Sequence, residues 1–157
     1  MSCQGWASRV AGGWQLSTIY QVQNGLPFTT VLSFDNANAG TNSRPNRVCY
    51  GNLSNPSASH WYDTSCFVAP AQYVFGNEGR NVLTGPGRNN MDFVLHRIFP
   101  IALREGMAVE FRAEAYNIFN HPQFQFPGAT IGTASAGVIS ATAVPNRILQ
   151  MALRLSF

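Results

Sequence analysis

The final stretch, Arg147-Ile-Leu-Gln-Met-Ala-Leu-Arg-Leu-Ser-Phe157, constrains the chain more than any other. Alternate residues place Leu149, Met151, Leu153, Leu155 and Phe157 on one side. Ile148, Gln150, Ala152, Arg154 and Ser156 fall on the other. A period of two with one wholly apolar side marks a β-strand whose faces meet different surroundings. Residues 147–157 span roughly 36 Å at about 3.3 Å per residue. A tilt of about 40° leaves roughly 28 Å along a membrane normal, enough to cross an apolar band of about 25 Å. The strand fits a bilayer, and a soluble edge strand is its competitor.

Composition narrows the choice. Charged residues make up 11% of the chain, against about 25% in ordinary globular domains. Glycine, proline and small polar residues fill the gap, as in a β-protein with long polar loops. The net charge of +3 comes entirely from arginine. Those arginines are scattered from Arg9 to Arg154 rather than gathered on one face, which argues against a nucleic-acid partner. No run approaches the ~20 apolar residues of a membrane-spanning helix. Residues 1–9 lack the charged start and apolar centre of a signal peptide. An outer-membrane destination therefore implies that this chain is the tail of a longer protein. Cys3, Cys49 and Cys66 include no Cys-x-x-Cys pair, so a zinc knuckle is not expected. Cys49 and Cys66 share one loop and are either bridged or two free thiols.

Three more segments alternate. Residues 13–23 place Trp14, Leu16, Thr18, Tyr20 and Val22 opposite Gln15, Ser17, Ile19, Gln21 and Gln23. Residues 89–99 set Met91, Phe93, Leu95, Arg97 and Phe99 against Asp92, Val94, His96 and Ile98, with Arg97 able to snorkel to an interface. Residues 107–119 set Met107, Val109, Phe111, Ala113 and Ala115 against Glu110, Arg112, Glu114 and Tyr116. Glutamate and alanine favour helix there, but the strict alternation decides for strand. Pro27–Phe34 reads as an extension of the first strand beyond the membrane, and Val138–Thr142 as a short ribbon. Residues 35–87 and 120–145 read as long loops without a sustained period, a length that usually signals function or disorder.

The expected fold is all-β: an antiparallel up-and-down meander of about four long strands, part of a transmembrane outer-membrane β-barrel with long extracellular loops. Connection lengths support it. The order is long loop, short turn, long loop, and such barrels turn long loops outward and short turns to the periplasm. Both Gly12 and Phe157 then lie on the periplasmic side. Leu149, Met151, Leu153, Leu155 and Phe157 form the membrane-facing strand. Trp14 and Phe99 fall near the inner interface, and Tyr20 and Phe119 near the outer one, as aromatic girdles would. Asp92, His96, Glu110, Arg112 and Glu114 line the water-filled side.

Other chemistry is thin. His60, Asp63, His96, Glu110, Glu114 and His121 show no metal-ligand spacing such as His-Glu-x-x-His. Gly85-Pro-Gly87 lacks the Gly-Lys-Ser/Thr of a phosphate loop and reads as a turn into the second spanning strand. No catalytic site, cofactor or metal is expected. Arg44, Arg47, Trp61, Tyr62 and Arg80 read as loop-packing residues, with ligand contact as the rival reading.

The terminal strand resembles the closing strand of bacterial outer-membrane barrels, whose final aromatic residue helps the assembly machinery recognise them. Further stretches resemble the carboxy-terminal part of Oar-like TonB-dependent outer-membrane transporters. They are Gly12-Gly-Trp-Gln-Leu-Ser17, Asn24-Gly-Leu-Pro-Phe28, Phe75-Gly-Asn-Glu-Gly-Arg-Asn81, Gly85-Pro-Gly87, Phe111-Arg-Ala-Glu114 and Asn117-Ile-Phe-Asn-His-Pro122. The resemblance implies a barrel of about 22 strands with an upstream plug and TonB box, neither of which has room here. The implied partners are the upstream strands and plug, outer-membrane lipid, the barrel assembly machinery and, through the missing part, TonB. Residues 1–157 would be a C-terminal fragment, inactive in transport alone. Two alternatives are an oligomeric anchor, with each chain giving four strands to one barrel, and a secreted soluble β-sandwich acting as a binding module.

Overall fold

A computed structural model describes residues 12–102 and 106–157. Cys3, the reading of residues 1–11, and the middle of the turn between Pro100 and Gly106 lie outside the described residues. The described elements are strands and one short 3-10 turn. Contacts divide them into two compact units, the first made of residues 12–21, 89–102, 106–121 and 145–157. The second comprises residues 22–88 and 122–144.

The first unit is a sheet of four strands in sequence order, β1 (Gln15–Gln23), β2 (Arg88–Pro100), β3 (Ala108–Tyr116) and β4 (Ile148–Ser156). β3 runs antiparallel to both neighbours. Gln15 reaches His96, and Thr18 reaches the Asp92 carbonyl. Partners descend along β2 as β1 ascends, so this pair is antiparallel too. The meander expected from the alternation is present.

The observed strands differ at their ends from the sequence bounds of 13–23, 89–99, 107–119 and 147–157. β3 stops at Tyr116 because Asn117 turns left-handed, at φ 50°. Its amide leaves the ladder for the Asp92 carboxylate, 2.9 Å away. Asn and Asp tolerate that conformation better than other residues with a Cβ. Phe119 consequently lies in a turn rather than a strand.

The second unit is built from the two long connections, and neither is structureless. Pro27–Phe28 pairs with Leu83–Thr84, and Val31–Leu32 lies parallel to Thr130–Ile131. Pro27–Phe34 therefore does not prolong the β1 ladder. Asn46–Arg47 pairs with Phe67–Val68, Asn52–Ser57 with His60–Tyr62, and Gln123–Phe124 with Thr142–Val144. The ribbon expected at Val138–Thr142 thus starts at Thr142. A small core of Tyr62, Cys66, Phe67 and Leu83 lies under Phe28, Trp61, Val82 and Ile131. A disulfide joins Cys49 to Cys66.

Two glycine contacts explain why the punctuating motifs are where they are. A Cβ on Gly25 would sit 1.8 Å from the Gly85 carbonyl oxygen, so the Asn24–Phe28 and Gly85–Gly87 segments cross backbone to backbone. A Cβ on Gly76 would lie 2.1 Å from the carbonyl oxygen of Arg44. Only glycine allows so close an approach.

Candidate functional site

The register turns the alternation into two surfaces. On one, Val109, Phe111, Ala113 and Ala115 of β3 stand opposite Leu155, Leu153, Met151 and Leu149 of β4. The same four residues stand opposite Phe99, Arg97, Leu95 and Phe93 of β2. On the other, Glu110 faces Arg154, Arg112 faces His96, and Glu114 faces Gln150. Met151 is 80% exposed, Leu153 75% and Leu155 52%. Among the described residues, no second layer covers these side chains. In water such a face would cost roughly 25 cal/mol per Å² of apolar surface left wet, a cost that a hydrocarbon solvent would remove.

Aromatic residues gather at one end of the apolar face. Trp14 meets Phe99 edge-on with ring centres 6.0 Å apart, and Phe111 at 5.8 Å. The Arg97 guanidinium lies 4.3 Å over the Phe99 ring and 5.3 Å over Trp14. Arg97 is 7% exposed. Instead of snorkelling, it is enclosed by rings whose faces attract a cation. Tyr20 on β1 and Phe119 after β3 are both exposed. The Phe119 ring lies beside His121, centre to centre 6.2 Å. Phe157 follows β4 and is exposed.

The polar face carries two short chains of hydrogen bonds. His96 joins Gln15, 3.3 Å from one ring nitrogen, to the Glu110 carboxylate, 3.0 Å from the other. Glu114 accepts from Arg112 at 2.5 Å and from the Tyr116 hydroxyl at 2.7 Å. Cross-strand and same-face pairs of this sort hold polar side chains flat against a sheet. They suit the wall of a wet lumen.

Asp92 has a different task from the other residues of that face. Its carboxylate accepts from the Asn90 side chain and from the Asn117 amide, fixing the end of the sheet. Asn117 completes the arrangement. Its side chain is buried, donates to the carbonyls of His121 and Pro145 at 3.0 and 3.3 Å, and accepts from the His121 amide at 3.1 Å. Asn120 accepts from the Arg147 amide at 3.0 Å. The Asn117–Pro122 run is thus a latch that ties the end of β3 to the start of β4. Sequence reasoning singled out the run but not its task; an asparagine just past a strand end was the available signal.

In the loop unit four of the five candidate ligand-contacting side chains, Arg44, Arg47, Trp61 and Tyr62, are engaged internally. Tyr62 is in the core and donates to the Gly128 carbonyl at 2.8 Å; burial pushes its phenol up to about 12. Trp61 donates to the Thr84 carbonyl, and Arg44 to the Glu78 carbonyl. Arg47 donates to the carbonyls of Cys49 and Tyr50 and lies over the Tyr50 ring. Arg80 and His60 are exposed. Glu78, which the sequence singled out only as part of the Phe75–Asn81 stretch, is 2% exposed and accepts from both the amide and the hydroxyl of Thr30. Burial raises its pKa above the ordinary carboxylate range, against the lowering effect of those two hydrogen bonds. Among the described residues, Asp63 lies with Cys49 and Cys66 in one cluster of metal-ligand types. Both sulfurs are bonded to each other, and the Asp63 carboxylate accepts from the amide and hydroxyl of Ser65.

An open antiparallel sheet with a bare apolar face, a hydrogen-bonded polar face and an aromatic cluster at one end defines a segment of a membrane-spanning β-barrel. The family model described as outer membrane beta barrel domain matches residues 1–150. The chain belongs to this family, and its place is the bacterial outer membrane. No curated protein and no solved structure matches it significantly.

Proposed function

We propose that the chain forms the last strands and outer loops of a TonB-dependent, Oar-like transporter, and that its role is non-catalytic. The observation that carries this reading is the set of motifs shared with such transporters. Several of them fall where substitution is sterically or electrostatically costly. Gly25 and Gly76 permit close backbone crossings and Gly85 makes room for the Phe126 ring, Glu78 holds Thr30, and Asn117 holds the strand ends. The long outer loops, folded and disulfide-closed, give such a transporter a surface on which to meet its substrate.

Four strands do not close a barrel, since single-chain barrels start at about eight and open edges are not tolerated in lipid. In this reading the missing strands and the plug precede Met1, as does the segment that TonB would pull. The rival is a barrel assembled from several copies. To separate them, the gene is expressed with the reading frame upstream of Met1, and the protein is purified from outer membranes. A transporter gives a single chain several times heavier than 17.2 kDa and uptake that stops when TonB is deleted. A particle whose mass is a small multiple of 17.2 kDa, indifferent to TonB, would overturn the proposal.

A further inference from the structure

The lipid-facing side of the sheet is not uniformly filled. In the second half of β3 it carries Ala113 and Ala115, while the strands on either side carry bulky residues at the same level. Ala113 lies between Leu95 and Met151, and Ala115 between Phe93 and Leu149. With adjacent strands about 4.8 Å apart, the walls of this valley stand roughly 9–10 Å apart. The valley encloses about 260 Å³ and runs on to Ile118 and Arg147.

The end of the valley is chemically distinct from its floor. Arg147 immediately precedes β4, at the end of the sheet from which the long connections leave. Its backbone is pinned by Asn120, while its guanidinium has no hydrogen-bond or ion-pair partner among the described residues. Glu114 also borders the valley, but its side chain belongs to the opposite, polar face, where Arg112 and Tyr116 engage the carboxylate. An apolar channel one hydrocarbon chain wide thus ends at an available cation, level with the headgroups of the membrane this sheet crosses.

We propose that this valley is a seat for one phosphate-bearing membrane lipid, with an acyl chain along Ala113 and Ala115 and the phosphate held by Arg147. The inference rests on the outer-membrane placement and is independent of whether the barrel transports. A basic side chain at the membrane surface favours an anionic headgroup by roughly fivefold. Filling the floor removes the seat for any lipid; neutralising the mouth removes only the headgroup preference.

The test uses the protein purified from outer membranes in mild detergent, stripped of loose lipid, and titrated with phosphatidylglycerol or phosphatidylcholine under native mass spectrometry. The wild type is expected to retain about one lipid per chain and to prefer phosphatidylglycerol by about fivefold. Ala115→Leu should lose the retained lipid whatever its headgroup. Arg147→Gln should retain it without preference, and Arg147→Lys should restore the preference. Heat-modifiable mobility confirms that each variant is assembled. If Ala115→Leu fails to assemble, the Arg147 pair decides alone. The proposal is overturned if the wild type holds no lipid, if Arg147→Gln keeps the full preference, or if Ala115→Leu alters the number of chains per particle instead of the lipid count.

Discussion

Replacing Leu153 by arginine tests the two-solvent character of the sheet directly. Leu153 sits one residue past the midpoint of β4, opposite Phe111 on the apolar face, and is 75% exposed. At about 3.3 Å per residue and a tilt of about 40°, its Cα is roughly 2.5 Å from the bilayer midplane. A lipid-facing arginine at that depth costs about 2–4 kcal/mol. Leu149 and Leu155, each roughly 7–8 Å from the midplane, should give an intermediate cost of about 1–2 kcal/mol. Gln150→Arg is the control, because Gln150 lies on the polar face opposite Glu114. Its cost should stay within about 0.5 kcal/mol. The assay is urea unfolding of the assembled protein in lipid vesicles, followed by tryptophan fluorescence. The reasoning fails if Gln150→Arg proves as costly as Leu153→Arg, or if the cost along β4 shows no dependence on depth.

The latch should show its two components separately. Asn117→Ala removes three side-chain hydrogen bonds and places a Cβ-bearing residue without a local partner at positive φ. Its cost should be about 4 kcal/mol by the same unfolding assay, with Asn117→Gly milder by about 1 kcal/mol because glycine accepts that conformation; equal costs would contradict the latch. Breaking the Cys49–Cys66 bond opens a loop with a sequence separation of 17. Reduction or Cys66→Ala should cost the loop unit about 3 kcal/mol, seen as faster proteolysis within residues 22–88 while the strands stay protected. Glu78 has a raised folded pKa, so the folded state binds its proton more tightly than the unfolded one. The loop unit should therefore gain stability as pH falls through that raised value and stop gaining below the ordinary carboxylate range. Glu78→Gln should flatten that part of the profile measured by limited proteolysis against pH. An unchanged profile would show that another group is responsible.

What the sequence settled is the part governed by a local repeat. The alternation in Trp14–Gln23, Asn89–Phe99, Met107–Ala115 and Ile148–Phe157 decides which side chains share a face, because the pleat has a period of two whatever the strand pairs with. The antiparallel order followed from connection lengths. Tertiary structure decided the rest. Most strands of the loop unit have two or three residues and leave no period to read, so the folding of residues 22–88 and 122–144 into a common unit rests on pairings between distant segments, such as Val31–Leu32 beside Thr130–Ile131. The union of Cys49 with Cys66, the burial of Tyr62 and Glu78, and the reach of Asn117 to Pro145 likewise depend on which backbone comes within hydrogen-bonding or bonding range. Such proximity is a property of the folded chain and has no counterpart in the spacing of its residues.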